Sequence, residues 1–457
     1  MKNDFITVFK TIEADEQEGF RHYVQCFYAQ QKAVIKIFKE VDEAIIANKE
    51  ATILLSTKPE HKNILNALSD LKKWLLEYLA FRELKSDSHE AQFFTVEALR
   101  KRGLNAFFLQ KSKQFSKELM KHPSPDMWLM FWKLRLAHIH YFHTGIDRMQ
   151  DYQAEMHKIL NELDSFYISA KLRYNAELQS RTDILQETYT PRLLDEIGAL
   201  AENDDTLDAS IRSLYLPLLK LLKNKSEDAY RVLKSFIINN QVHESFERLS
   251  ILMYLLNFAI NQIRQGNNLY FDEYFELAQL GLDQSLFTTS GYFPTDTFMN
   301  IVNLSCHQKK YVWAKKFIAT WSEYLDPVLE LPTKNLAMAR IYFEEKNYGK
   351  VIDLLQKIPN KPLTFNLNAR VLLARAYYER KEPDDLILDY CQSLYLYAYR
   401  SKSIGADPKL SITNFVKIMR YLVNGKSKTD IYNELNKEKE PIMCRQWLKE
   451  KADALKS

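Results

Sequence analysis

Residues 338–355 read MARIYFEEKNYGKVIDLL and residues 373–390 read LARAYYERKEPDDLILDY, so two similar stretches begin 35 residues apart. In each stretch an alanine and an arginine precede aromatic residues, a break follows at Lys346-Asn347-Tyr348 in the first copy and at Glu382-Pro383 in the second, and apolar residues resume beyond it. A weaker copy lies upstream, with Ile301, Lys310 and Ala314 at the corresponding positions. Because apolar residues recur at helical spacing on both sides of the break, each copy is predicted to form two short helices joined by a turn.

A repeat of about 34 residues that contains two helices is the signature of a tetratricopeptide-like (TPR-like) array. The composition favours the same fold class, since the 457 residues are 46% hydrophobic and include only 10 glycines. Tight turns between strands usually need glycine, so the shortage favours helices. Gly266 and Gly425 are predicted to end helices. The sequence therefore predicts an all-α protein, a right-handed helical-repeat (TPR-like) α-solenoid with a less regular helical N-terminal half.

Three regions are predicted along the chain. Residues 1–205 form an irregular N-terminal helical region, residues 206–405 a TPR-like helical-hairpin array, and residues 406–457 C-terminal capping helices. The first boundary follows the polar turn Glu202-Asn-Asp-Asp205. The last helices are more polar than the array, as expected for helices that cap a stack of repeats.

Several stretches, taken in order, carry a resemblance to a known family. They are Phe20–Phe27, Leu68–Leu84, Leu99–Phe108, Leu256–Gly291, Asn300–Leu325, Asn335–Leu355, Leu367–Tyr378 and Arg445–Lys451. Together they resemble a family of TPR-like proteins common in Bacteroidetes, to which no activity is assigned. The second quoted copy departs from the usual pattern at Leu386, where alanine is common, and at Ser393, where a small apolar residue is expected. The resemblance implies the fold and a bacterial origin, and it implies no activity.

The first helix of each repeat lines the concave side of such an array, so equivalent positions stack as ladders. Arg340 and Arg375 are equivalent, with Asn303 as their upstream counterpart; Phe343, Tyr378 and Cys306 form a second ladder, and Asn368 precedes Arg375 by two turns. Two guanidiniums beside aromatic rings could hold the carboxylates of an extended peptide, because the planar arginine fork binds carboxylate in bidentate fashion. The predicted partner-binding residues are Asn303, Arg340, Phe343, Asn368, Arg375 and Tyr378. The alternative interpretation, given more weight, is that both arginines pair with Glu344, Glu345 or Glu379 on a solvated face.

A basic stretch spans residues 100–121 and offers an alternative function. Its cations are Arg100, Lys101, Arg102, Lys111, Lys113, Lys117 and Lys121, interleaved with Phe107, Phe108 and Phe115. Cations and aromatic rings could bind single-stranded nucleic acid through phosphate contacts and base stacking. The phenylalanines also fall at core-facing intervals, so the favoured interpretation is a solvated basic helix face.

Catalytic motifs are absent from the sequence. It contains no glycine pair with the spacing of a phosphate-binding loop, no Gly-x-Ser-x-Gly and no Cys-x-x-Cys. His138, His140 and His143 lie close together, and on a helix His140, His143 and Asp147 would place imidazole and carboxylate ligands on one stripe. This metal site is the weakest hypothesis, since Gly145 could end the helix before Asp147. The sequence therefore predicts a protein that is not an enzyme and has no cofactor.

The net charge of +4 is close to balanced and demands neither nucleic acid nor a membrane as partner. Cys26, Cys306, Cys391 and Cys444 are far apart and are interpreted as reduced core thiols. No apolar segment follows the first residues as in a signal peptide, and the longest apolar stretch, Ile251–Ile260, is too short to span a bilayer. These features predict a cytoplasmic scaffold that binds an unknown protein or peptide without membrane insertion, with homo-oligomerisation left open.

Overall fold

The structure, a computed structural model, describes residues 3–47, 49, 61–86, 88–121, 126–143, 148–185, 191–205, 207–239, 245–289, 291–356, 363–401, 406–436 and 441–455. These residues form helices and no strand, which confirms the all-α prediction for the described part of the chain. The chain divides into two compact units, unit 1 (Met1–Ala170) and unit 2 (Lys171–Ser457). The division into three regions with a boundary after residue 205 stays a prediction.

The helices of unit 1 follow one another closely along the chain. They are α1 (Asp4–Thr11), α2 (Ala14–Phe27), α3 (Lys32–Ile46), α4 (His61–Ser86), α5 (Ser88–Lys101), α6 (Asn105–Lys121), α7 (Met127–Tyr141) and the first part of α8 (Arg148–Leu185).

Unit 2 contains the remainder of α8 and a longer series of helices. They are α9 (Leu194–Asn203), α10 (Leu216–Asn224), α11 (Glu227–Ile238), α12 (Ser245–Arg264), α13 (Tyr270–Asp283), α14 (Thr295–His307), α15 (Tyr311–Trp321), α16 (Glu330–Glu344), α17 (Tyr348–Leu355), α18 (Leu363–Arg380), α19 (Asp384–Arg400), α20 (Ala406–Val423), α21 (Lys428–Leu435) and α22 (Arg445–Asp453).

Aromatic side chains build the core at the start of unit 1. Phe5 and Phe9 of α1, Phe20 of α2 and Phe38 of α3 are buried, and their ring centroids lie between 5.4 and 6.2 Å apart. Several of these pairs meet edge to face, the geometry that the ring quadrupole favours. The rings pack in one core with Leu71 and other apolar residues of α4. Burial of these rings explains much of the high phenylalanine content of this region.

In unit 2 each helix packs mainly on its neighbours in sequence. From α16 to α22, every consecutive pair of helices is in contact, and α16 also contacts α14 and α18. One continuous apolar core joins these elements, from Leu336 on α16 to Ala452 on α22. The two quoted stretches each form a helix, a turn and a second helix, which are α16–α17 and α18–α19. The right-handed solenoid path remains a prediction.

The same type of turn joins the two helices within each of three successive hairpins. Lys309, Lys346 and Lys381 each have a φ between 58° and 60°, in the left-handed region. In each turn the next amide donates to a carbonyl five residues back, over 2.9 Å for Lys310, 2.8 Å for Asn347 and 3.1 Å for Glu382. These bonds close the helix end as in a Schellman motif. The same bond closes the predicted helix ends at Gly266 and Gly425. There the amide of the residue after each glycine donates to the carbonyl five residues before it.

We expect glycine to stabilise the turns in which lysine adopts the left-handed conformation. Lys346→Gly and Lys381→Gly should each raise the free energy of unfolding by about 0.5–1 kcal/mol, because glycine has no Cβ to clash there. Urea unfolding would measure the change. As the matched control, Lys316→Gly on the exposed face of α15 should lower the stability by about 1 kcal/mol. Equal losses at all three positions would contradict the proposed relief of backbone strain.

A buried ion pair lies within unit 2. The Nε atom of Arg173 on α8 donates to both carboxylate oxygens of Glu247 on α12, each at 2.8 Å, and both side chains are buried. Arg173 Nη1 donates to the Tyr254 hydroxyl over 3.1 Å, and that hydroxyl donates to Glu177. Burial by itself would lower the pKa of the Arg173 guanidinium, but Glu247 raises it on balance. The pair therefore stays charged, and it fixes α8 against α12 within unit 2.

Candidate functional site

Arg375 on α18 is buried between two aromatic rings. Its guanidinium carbon lies 4.2 Å from the centroid of the Phe343 ring on α16 and 5.0 Å from that of the Trp447 ring on α22. Only 7% of the residue is exposed. Arg375 lies on the first helix of one hairpin, and its guanidinium reaches Phe343 on the first helix of the preceding hairpin. The 35-residue spacing predicts that these two helices are neighbours. Its charge is therefore held against ring faces, which attract cations.

The Arg375 guanidinium has no carboxylate partner among the described residues. Its Nη1 atom lies 3.7 Å from the Cys444 sulfur, a weak acceptor, and its Nε atom has no hydrogen-bond partner. Burial lowers the pKa of Arg375, and the nearby charge of Arg340 acts in the same direction. Guanidinium groups nevertheless remain protonated in proteins. The site is thus a buried positive charge without a countercharge in contact with it.

The two carboxylates whose charges act on Arg375, Glu344 and Glu379, are paired with other cations. Glu379 accepts a hydrogen bond from Trp447 Nε1 over 2.7 Å and pairs with Lys451 of α22 over 2.6 Å. Glu344 pairs with Arg340 over 2.8 Å. The interpretation that both arginines pair on a solvated face therefore fits Arg340, which is half-buried, and is wrong for Arg375.

The structure brings some of the six predicted partner-binding residues together and leaves others apart. Phe343 is buried beneath Arg375, and Tyr378 is half-buried with its ring edge-on to Trp447 at 5.7 Å. Asn303 and Asn368 are exposed on α14 and α18, with no contact to Arg375 among the hydrogen bonds of the described residues. Cys306, the upstream member of the aromatic ladder, is buried, and burial raises the pKa of its thiol to about 12.

Sequence reasoning missed Trp447 as a member of this cluster. Trp447 belongs to the predicted capping helix, yet its ring covers Arg375 and Tyr378 and only 7% of the residue is exposed. A single tryptophan in an otherwise polar helix, RQWLKEKAD, was the available signal. In the structure α22 packs into the core through Trp447 together with Leu448 and Ala452.

The basic stretch 100–121 keeps few of the features that nucleic-acid binding requires. Phe108 and Phe115 are buried in the core of unit 1, where bases cannot reach them, and Phe107 alone of the three is exposed. Arg100 donates to both Glu97 carboxylate oxygens at 2.8 and 2.7 Å, so its charge is already paired. The core-facing interpretation of these phenylalanines is therefore confirmed for two of them.

The three histidines of α7 and its end do not converge. His138 is exposed, with its ring tilted against that of Phe142, whereas His143 is buried with its ring 4.1 Å from that of Phe108. His140 Nδ1 lies 3.7 Å from a Glu155 oxygen. Asp147 and Gly145 lie outside the described residues. Among the residues that the structure describes, no group of three histidine, cysteine or carboxylate side chains could hold a metal ion.

We expect His143 to make the stability of unit 1 depend on pH. Burial, and then the charges of Arg100 and His140, lower the pKa of His143 below that of the unfolded chain. Its contribution is therefore fully present above the unfolded pKa of about 6.5 and is lost as the pH falls through the folded value. Unfolding curves at a series of pH values should show a smaller loss on acidification for His143→Phe than for the wild type.

The exposed His157 on α8 offers the control for that measurement. His157→Phe should keep the acid dependence of the wild type. If the His143 and His157 variants lose the same stability on acidification, the buried imidazole is not the responsible group.

The cysteines were interpreted as core thiols, and this holds for two of the four. Cys306 and Cys391 are buried, Cys444 is half-buried beside Arg375, and Cys26 is exposed, so the interpretation is wrong for Cys26. Across the described residues, no helix has the length and apolarity that a bilayer crossing demands.

Comparisons with known proteins add no relative. No protein-family model matches the chain, and the searches of curated proteins and of solved structures returned no match.

Proposed function

We propose that this chain is a non-catalytic scaffold, a right-handed TPR-like solenoid in its C-terminal part, that binds an acidic protein or peptide segment on α16 and α18. The observation that carries the proposal is the burial of Arg375 without a carboxylate partner among the described residues. A buried charge without a partner costs stability, so packing alone does not account for it.

The chemistry of the cluster favours a carboxylate as ligand. Guanidinium offers two parallel N–H donors to a carboxylate, and such a bond strengthens where water is excluded. Arg375 has an unused Nε donor, and the Nε atom of Arg340 is likewise buried without a partner. Phe343 lies buried beneath the Arg375 guanidinium, and the half-buried Tyr378 supplies apolar surface for the segment.

Helix α22 occupies this surface in the structure. Trp447 lies over Arg375, and Lys451 and Trp447 together hold Glu379. A partner segment that reaches Arg375 must therefore displace the Trp447 ring, and its affinity is reduced by the free energy of that displacement. We place the scaffold in the cytoplasm, with a protein partner and without membrane insertion; a nucleic-acid partner is the weaker alternative.

A random peptide library displayed on phage tests the proposal. Wild-type protein, Trp447→Ala and Lys451→Ala would each be panned, and opening the α22 contact should enrich peptides that carry aspartate or glutamate. Adding Arg375→Met to each opened variant should remove that enrichment, because methionine fills a similar volume without the charge. Acidic peptides that bind equally well after Arg375→Met would exclude this site.

The burial of Arg375 favours methionine over glutamate as the replacement in this experiment. Charge reversal by Arg375→Glu was the obvious variant for a surface arginine, but Arg375 is buried near Glu344 and Glu379. A buried glutamate at that position is expected to destabilise the fold, and loss of binding would then have a trivial cause. Arg375→Met avoids this difficulty.

A further inference from the structure

A cavity of about 520 Å³ lies inside unit 1, separate from the Arg375 cluster. Three helices each present one face to it. The lining residues are Leu109, Ser112, Lys113, Ser116, Lys117, Leu119 and Met120 of α6, Lys133, Leu136, Ala137 and His140 of α7, and Glu155, Lys158 and Glu162 of α8. On α6 and α7 they recur at intervals of three and four, which is the spacing of one helical face. The cavity is within the size range of small-molecule sites.

The inner wall of the cavity is aliphatic. Leu119, Leu136 and Ala137 are buried, and Leu109 and Met120 extend the apolar surface toward solvent. Ala137 leaves open the volume that a larger residue would fill. Among the described residues of the lining, His140 alone carries an aromatic ring. An aliphatic chain therefore fits this wall, whereas a nucleic-acid base would find no ring on which to stack.

One polar atom in the wall lacks a partner. Ser112 is only 3% exposed, and its Oγ atom has no hydrogen-bond partner. A buried hydroxyl without a hydrogen bond costs about 1–3 kcal/mol. Ser112 thus offers a donor to a ligand that enters the cavity.

The charges around the cavity favour an anion. Lysine contributes four positive charges and glutamate two negative ones, and the Glu155 carboxylate lies 3.7 Å from His140. Within the described part of the chain, no carboxylate lies within ion-pair distance of Lys113, Lys117 or Lys158. Lys113 and Lys117 stand one turn apart on α6 and are both exposed, so their ammonium groups can meet an anionic group at the mouth.

We propose that this cavity binds a single-chain aliphatic carboxylate, that is, a fatty acid. The aliphatic chain of the ligand lies on Leu119, Leu136 and Ala137. Its carboxylate is held by Lys113, Lys117 and the Ser112 hydroxyl of α6. Burial of each methylene contributes about 0.8 kcal/mol, so the apolar wall supplies most of the affinity and the lysines select the charge.

Isothermal titration of the delipidated full-length protein with dodecanoate tests the proposal. Saturable binding at one site is expected, with at least about tenfold weaker binding of the dodecyltrimethylammonium cation, since the lysines repel it. Lys113→Glu with Lys117→Glu should weaken dodecanoate binding about tenfold. Lys111→Glu is the matched control on the same helix outside the cavity, and it should leave binding within about twofold of the wild type.

Filling the cavity provides a second variant. Ala137→Leu should abolish dodecanoate binding, and thermal unfolding would show whether unit 1 remains folded. If the Ala137 variant unfolds, the Lys113→Glu with Lys117→Glu variant alone tests the proposal. Absence of saturable binding to the wild type, or equal binding of the cationic amphiphile, would overturn the proposal. It would also fail if an oligonucleotide displaced dodecanoate and lost affinity in the lysine variant, since the site would then be a basic surface for nucleic acid.

Discussion

Replacing Glu247 by glutamine is expected to lower the free energy of unfolding of unit 2 by about 3–5 kcal/mol. The substitution keeps the size of the side chain but removes the buried carboxylate that contacts the Arg173 guanidinium, and among the described residues it leaves the half-buried Glu177 carboxylate, 3.8 Å from Nη1, as the remaining countercharge. The amide oxygen can still accept one hydrogen bond, yet it cannot neutralise the cation. Urea unfolding followed by circular dichroism measures the loss, which is large because the buried site excludes water from the charge.

The double variant Arg173→Met with Glu247→Leu is the control. It removes both charges together, and apolar side chains of similar volume are expected to restore most of the stability lost in the single variant. Recovery to within about 1 kcal/mol of the wild type would attribute the loss to removal of the Glu247 charge from beside the buried guanidinium. A single variant that loses less than about 1 kcal/mol would show that water reaches Arg173 in solution, contrary to its burial in the structure.

The second large effect is expected at Trp447. Trp447→Ala should cost about 3–5 kcal/mol, because it removes a buried ring that packs against Arg375 and Tyr378 and donates to Glu379. Trp447→Phe keeps the ring but loses the indole N–H, and it should cost about 1 kcal/mol. Chemical denaturation of the two variants distinguishes the packing contribution from the hydrogen bond.

Arg375→Met supplies the cross-check through a double-mutant cycle. With Trp447 present, the substitution should stabilise the protein by about 1–2 kcal/mol, since it removes a buried cation that has no carboxylate partner among the described residues. With Trp447→Ala, water reaches Arg375 and the same substitution should have little effect. Strictly additive effects would mean that Trp447 does not control the solvation of Arg375.

The sequence allowed the fold class to be predicted because its main signals are local. Helical periodicity reports which residues face a core, and the 35-residue offset placed Phe343 and Arg375 in neighbouring helices, where the structure finds them 4.2 Å apart. Gly266 and Gly425 marked helix ends because glycine readily adopts positive φ. Lys309, Lys346 and Lys381 adopt the same conformation, but lysine is common in helices and gives no such signal.

The parts that sequence reasoning missed are contacts between residues far apart in the chain. Arg173 meets Glu247 across 74 residues, and Trp447 covers a residue 72 positions earlier. Neither residue stands in a periodic pattern that identifies its partner. The cavity in unit 1 was missed for a related reason, since its lysines and serines resemble an ordinary solvated face until three helices are brought together.

Neighbour-by-neighbour packing in unit 2 has a consequence for the order of events during synthesis. Contacts between consecutive helices have low contact order, so each hairpin can form soon after its second helix is made. The contact between Trp447 and Arg375 cannot form until about seventy further residues have been synthesised after Arg375. The Arg375 surface is therefore open on the nascent chain after its own helices have folded, and it closes only when α22 is made.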